Sequence, residues 1–154
     1  MKIIPALLVS LICIQLFACS KNNEVEQTDY TGNISNTSTT KMKITIGSAV
    51  FTATLYENPT TKELIAQLPF TLDMNELNGN EKYYDLPNAL PTNAKAGGNI
   101  KAGDLMLYGN NVLVLFYKDF NTSYNYTKLG YFDNPNGLAA ALGSGNATVK
   151  FEKQ

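Results

Sequence analysis

From Lys41 to Leu55 apolar side chains recur at every second position on either side of one Gly-Ser step, and few folds accommodate that pattern. Met42, Ile44 and Ile46 alternate with Lys41, Lys43 and Thr45, while Ala49, Phe51, Ala53 and Leu55 follow Gly47-Ser48. A period of two sends successive side chains to opposite faces of a strand, so each segment has one apolar face. Gly-Ser as a two-residue type II′ turn sets Ile46 against Ala49 and Ile44 against Phe51, which brings both apolar faces to the same side. The spacing predicts a β-hairpin that opens a domain at residue 41.

The chain beyond it continues in short elements. Asn58 as N-cap, Pro59 at the first helical position, and Leu64, Ile65 and Leu68 along one side predict a short helix stopped by Pro69. Phe70, Leu72 and Met74 alternate as a strand. Asn78-Gly79 marks a turn before a strand from Glu81 to Leu86. Residues 87–103 hold two prolines and Gly97-Gly98 and read as a long loop, of a length usually functional or mobile. Leu105 to Tyr108 and Val112 to Tyr117 flank Gly109-Asn110-Asn111 as a second hairpin. Val112 to Phe116 has no polar alternation, so that strand should be covered on both faces. Tyr126 to Phe132 is a further strand, Pro135 opens a short helix through Leu138 and Leu142, and Ala147, Val149 and Phe151 close the domain. The expected fold is mainly β: a small closed barrel of about eight strands with two short capping helices.

Ahead of this domain the chain has a different character. Met1-Lys2 precedes an apolar run from Ile3 to Ala18 that is shorter than the roughly 20 residues needed to span a bilayer as a helix. A charged start and a short apolar body read as a secretory signal. Leu16-Phe17-Ala18-Cys19 resembles the lipobox of bacterial lipoproteins, which implies acylation of Cys19 and anchoring to the cell envelope, with the outer membrane as the expected site. Residues 20–40 carry only Val25, Tyr30 and Ile34 as sizeable apolar side chains, too few to offset the entropy of ordering. The expected organisation is a signal peptide over 1–18, a lipid-anchored tether over 19–40 and a barrel domain over 41–152.

Several chemistries are excluded by what is missing. The chain has no His, no Arg and no Trp, and its two cysteines are Cys13 in the leader and Cys19 at the anchor. Imidazole bases, thiolate nucleophiles, His or Cys metal sites and bidentate guanidinium clamps are therefore unavailable to the domain. A net charge of −1 without a basic cluster offers no footprint for nucleic acid. Ser38-Thr39-Thr40-Lys41 has the Ser-x-x-Lys spacing of penicillin-binding enzymes but lies in the tether without companion motifs. No cofactor or metal is expected, and the domain is expected to be monomeric.

Gly103-Asp104-Leu105 with Tyr108, the run Leu113 to Phe120, and Lys128-Leu129-Gly130 resemble the bacterial cyclophilin-like domain family, as do the opening hairpin and the helix that follows it. The resemblance covers 41–152 and implies a cyclophilin-type barrel capped by two helices. It further implies comparison with prolyl isomerases, in which an Arg beside a proline pocket weakens amide resonance. This chain has no Arg, and Lys118 supplies a mobile point charge in place of a fixed fork. The expectation is therefore a non-catalytic binding or interaction domain, with weak prolyl isomerase or envelope chaperone activity as the alternative.

Of nine tyrosines and seven phenylalanines, Tyr108, Phe116, Tyr117, Phe120, Tyr124, Tyr126, Tyr131 and Phe132 fall late in the chain. Two readings stay open: core and cross-strand pairs, or an aromatic groove for a peptide, protein or small molecule. In the second reading Tyr108, Phe116, Tyr117, Phe120 and Tyr126 line the groove, and Lys118-Asp119 orients the ligand. Asp73, Glu76, Glu81 and Asp85 are expected as exposed carboxylates. The anchor is tested separately: Cys19→Ala should leave the protein unlipidated and released into the soluble fraction, whereas undiminished membrane retention would exclude a lipid at Cys19.

Overall fold

The opening hairpin forms in the expected register. In the computed structural model, which describes residues 40–154, β1 (Thr40–Ile46) and β2 (Ala49–Leu55) pair with Ile44 opposite Phe51 and Ile46 opposite Ala49. Gly47 has φ +57, the left-handed conformation demanded by the first position of a type II′ turn. The predicted leader, Cys19 and the tether through residue 39 lie outside the described residues.

Helix α1 (Pro59–Ala66) follows, capped as expected: Asn58 Oδ1 accepts the Thr61 N–H at 2.9 Å and the Thr61 hydroxyl at 2.8 Å. Leu64 is buried in the main core and Ile65 packs against it. The remaining elements are β3 (Phe70–Leu77), β4 (Glu81–Asp85), β5 (Lys95–Ile100), β6 (Asp104–Tyr108), β7 (Val112–Phe116), β8 (Phe120–Phe132), α2 (Leu138–Leu142) and β9 (Ala147–Lys153). Pro135 opens a turn, its carbonyl accepting the Leu138 N–H, and α2 begins only after it.

Eight strands close a wholly antiparallel barrel in the order β2-β1-β9-β3-β4-β7-β6-β8, and β8 returns to β2. The closing seam has only three residue pairs: Ala53–Phe132, Thr54–Tyr131 and Leu55–Gly130. Two flanking backbone bonds lengthen it, Asp133 N–H to the Thr52 carbonyl and Tyr56 N–H to the Leu129 carbonyl, each 2.9 Å. Lys41 Nζ adds a side-chain clasp, donating to Thr54 Oγ1 at 2.5 Å and Asp133 at 2.8 Å, while the Thr54 hydroxyl donates to Asp133.

Strand β7 is covered on both faces, as its unbroken apolar run requires. Leu113 and Leu115 join the barrel interior with Met42, Ile44, Leu105 and Phe151. Val114 and Phe116 point outward into a second buried cluster with Ile100, Met106 and Tyr126. That outer cluster exists because part of the chain predicted as loop is a strand. β5 lies within residues 87–103 and pairs with the first half of β8, which itself begins at Phe120, six residues before the predicted Tyr126. The two form a ribbon that carries Ile100 and Phe120 onto the outer wall. Neither Lys-Ala-Gly-Gly-Asn-Ile nor Asn-Thr-Ser-Tyr-Asn alternates in polarity, since backbone pairing rather than a buried face holds them. Gly97 permits the close approach: a Cβ there would lie 2.7 Å from the Thr122 methyl and 3.2 Å from the Tyr124 carbonyl.

Gly130 is the matching requirement at the seam, where a Cβ would stand 2.4 Å from the Thr54 carbonyl and 3.0 Å from Leu55 Cα. Backbone atoms cannot swing aside as a side chain can. Gly130→Ala should therefore cost at least the 1–3 kcal/mol, roughly, of ordinary overpacking, read by chemical denaturation. A loss below about 0.5 kcal/mol would show that the seam yields without strain.

Candidate functional site

Strand β4 divides its five side chains between the two cores. Lys82 lies opposite Leu115 on the interior side, and Tyr84 packs against the barrel core. Glu81, Tyr83 and Asp85 alternate with them and face out. Tyr83 and Val112 flank the outer cluster, and the ribbon half of β8 borders it through Phe120. Between this wall and the ribbon runs a groove of about 530 Å³. Glu81, Tyr83, Tyr108, Phe120, Thr122 and Tyr126 contribute to its lining, with Asn80 from the β3–β4 turn.

Aromatic contacts set the floor. Phe116 lies 5.3 Å from Phe120 and 5.5 Å from Tyr126 between ring centroids, the latter edge to face, and Tyr108 stands 5.6 Å from Tyr126. Such pairs fix ring orientation beyond what burial alone gives. Above the floor, Asn121 to Asn125 use one edge of β8 to pair with β5. Among the described residues no strand pairs with their other edge.

The groove is acidic. Glu81 is only 8% exposed, and burial raises its carboxyl above the ordinary range, with the like charge of Glu76 pushing the same way. Burial and then the Glu81 carboxylate push the Tyr126 phenol up to about 12. Asn80 Oδ1 is buried with no hydrogen-bond partner. Among the described residues no Lys lines the groove.

A second charged cluster sits inside the barrel. Lys82, with no exposed surface, donates to Glu76, to the Gly143 carbonyl at 3.0 Å and to the Gly145 carbonyl, so all three of its protons are placed. Its ammonium also lies 5.2 Å from the Tyr117 ring centre, and the Tyr117 hydroxyl donates to Glu76 at 2.9 Å. Burial pushes Glu76 up, but hydrogen bonds from Lys82, Tyr117 and the Gly79 N–H outweigh it and hold the carboxyl below its usual range. Burial and the bond to Glu76 raise Tyr117 to about 12. Every group here is satisfied, so the cluster fastens the segment after α2 to the barrel and leaves no atom free for a ligand.

The residues singled out from sequence thus part company. Tyr108, Phe120 and Tyr126 meet in the groove, and Phe116 lies fully buried beneath it. Tyr117 turns inward to Glu76. Lys118 lies over the outer side of that system, 5.8 Å from the Tyr117 ring centre. Asp119 accepts from Lys101 Nζ at 2.8 Å and the Ala102 N–H at 2.9 Å, which lowers its carboxyl and ties the β5–β6 connection to the start of β8. Glu76 and Glu81 are not the exposed carboxylates expected, and Lys82 is a fully buried cation. The signal was present in the alternation: in Glu81 to Leu86, Lys82 shares its face with Tyr84 and Leu86, the apolar side.

The sequence profile described as the cyclophilin-like family matches residues 44–152. The chain belongs to the cyclophilin-like family. A hypothetical protein of Archaeoglobus fulgidus, solved in solution, has a similar fold with a TM-score of 0.54 and 20% identity, over 75% of this chain and 95% of its own. No curated protein matches the sequence. In this cyclophilin-like domain the expected barrel of about eight strands with two short helices is the fold found, with β5 as an additional ninth strand.

The buried ion pair makes a specific demand. Lys82→Met leaves the partly exposed Glu76 and the Gly143 and Gly145 carbonyls without their donor, and should cost about 1–3 kcal/mol near neutral pH. Because Glu76 is held below its ordinary value, its stabilisation is complete above the unfolded-state value of about 4.3 and is lost as pH falls through the folded one. Urea titrations across the acid range should accordingly show a shallower loss of stability for Glu76→Gln than for the parent. Coincident pH profiles would remove Glu76 from the acid transition.

Proposed function

We propose that this protein is a non-catalytic binding module, carried on the bacterial cell envelope by a lipid at Cys19, whose outer-wall groove takes an extended polypeptide segment. The observation that carries this reading is the pairing of a ring-lined groove of about 530 Å³ with a β8 edge that has no strand partner among the described residues. An extended peptide can hydrogen-bond such an edge while alternate side chains enter the adjacent groove. The Phe120 and Tyr126 rings supply apolar contact at little entropic cost, since each is already fixed against Phe116 beneath them.

The same lining argues against prolyl isomerisation. Weakening the prolyl amide needs a fixed cation at its nitrogen, and the groove presents carboxylates instead. The larger cleft beside α1, about 1010 Å³, is a weaker candidate because Asn58 and Thr61, two of its polar groups, are already committed to capping the helix. The lipid anchor rests on the Leu16-Phe17-Ala18-Cys19 motif, and residues 19–40, poor in apolar side chains, would serve as its tether.

A protease-coupled prolyl assay at high protein concentration separates the two functions. No acceleration over the uncatalysed rate is expected. Acceleration that disappears with Lys118→Ala would instead make Lys118 a catalytic cation and the protein an isomerase. In parallel, 15N spectra of the full chain with extended peptides should show shifts concentrated at 80–85 and 120–126; shifts confined to the α1 cleft would move the binding site there.

A further inference from the structure

Glu81 is more than nine-tenths buried and has no hydrogen-bond or ion-pair partner among the described residues. Among the described residues the charge that acts on it is Glu76, of the same sign. Its stem is buried while its carboxyl oxygens open only to the groove, and no group of the barrel donates to them. Its neighbour Lys82 shows the contrast: a buried charge in the same strand with every proton engaged. Next to Glu81 in the chain, the Asn80 side-chain oxygen is a buried acceptor that lacks a donor among the described residues. Two adjacent acceptors without a donor mark a place where protons must come from outside.

The surroundings specify which donor. The groove that Glu81 lines also presents the faces or edges of Tyr83, Tyr108 and Tyr126, and its other charged residue is Asp85. Aromatic rings beside carboxylates favour a cation over a neutral donor, because the ring quadrupole and the carboxylate attract it together. Of the lysines near this wall, Lys82 turns inward and Lys101 pairs with Asp119, while Lys118 lies over the Tyr117 ring and is not among the residues lining the groove. Resting on the reading of the groove as a peptide site, we infer that it selects a basic side chain, seating the ammonium or guanidinium head of a Lys or Arg from an extended peptide against Glu81. Asn80 Oδ1 accepts a further proton from the same head, and the aliphatic stem lies along the rings.

Three acetylated and amidated pentapeptides test this by calorimetry with the full chain: Ala-Val-Lys-Val-Ala, and the same peptide with norleucine or Glu at the centre. The lysine peptide should bind at least about tenfold more tightly than the norleucine one, and the Glu peptide most weakly. Glu81→Gln, which keeps shape and size, should bring the lysine and norleucine peptides to within about twofold by weakening the first alone. Its thermal midpoint should be equal to or above the parent's, since an unpaired buried charge has been removed. Equal binding of lysine and norleucine peptides by the parent would overturn the basic selectivity while leaving the groove as a peptide site. A steep fall in the midpoint of Glu81→Gln would overturn it by making Glu81 a structural residue. Absence of binding by all three peptides would overturn it together with the groove reading.

Discussion

One strand, β8, bears two loads that would ordinarily fall to separate elements. Its second half zips to β6 on one edge and to β2 on the other, and without that second contact the eight-stranded sheet has two open edges. Its first half leaves the barrel wall and joins β5 in the ribbon that shelters Val114 and Phe116. Closure of the cylinder and shielding of its outer apolar patch are thus consequences of the same thirteen residues. The glycines at 97 and 130 are where this arrangement brings backbones and side chains too close for a Cβ.

The charges of the domain sort themselves around this frame. With no Arg available, each structural ion pair uses Lys, and the lysines are distributed between seam, interior and loop: Lys41 to Asp133, Lys82 to Glu76, Lys101 to Asp119. The exposed pairs contribute little individually. Lys82 differs, since its alternative to Glu76 and two carbonyls is an ammonium in a hydrocarbon interior. The outer groove is lined by Glu81 and Asp85, and none of these paired lysines lines it.

How much of this was legible beforehand depended on whether side chains or backbone did the holding. The β1–β2 register, the Asn58 cap and the doubly covered β7 are written in side-chain pattern, and each is present as read. The ribbon is not so written. Gly97, Asn99, Asn121 and Asn125 carry no polarity signal, because their strands are defined by ladders to each other. The site suffered accordingly: Tyr108, Phe120 and Tyr126 were picked out by their rings, yet Glu81 and Asn80 were missed. Without the ribbon above them they sit on an open wall, where a carboxylate is unremarked.

The two ends of the described chain meet on the barrel wall. Met42 stands opposite Lys153, and the Gln154 N–H donates to the Lys41 carbonyl at 3.2 Å. This ladder joins residues 111 positions apart, so it closes a far longer loop than the β6–β7 hairpin does. A few residues linking 154 to 41 would convert it into a hairpin, and new ends could be cut at Gly109-Asn110-Asn111, a solvent-facing turn between paired strands. The rearranged chain would trace the same cylinder with the β1–β9 pairing made local and the β6–β7 pairing made the distant one, so the order in which the seams close would change. Where the polypeptide starts is, for this barrel, a matter of kinetics more than of architecture.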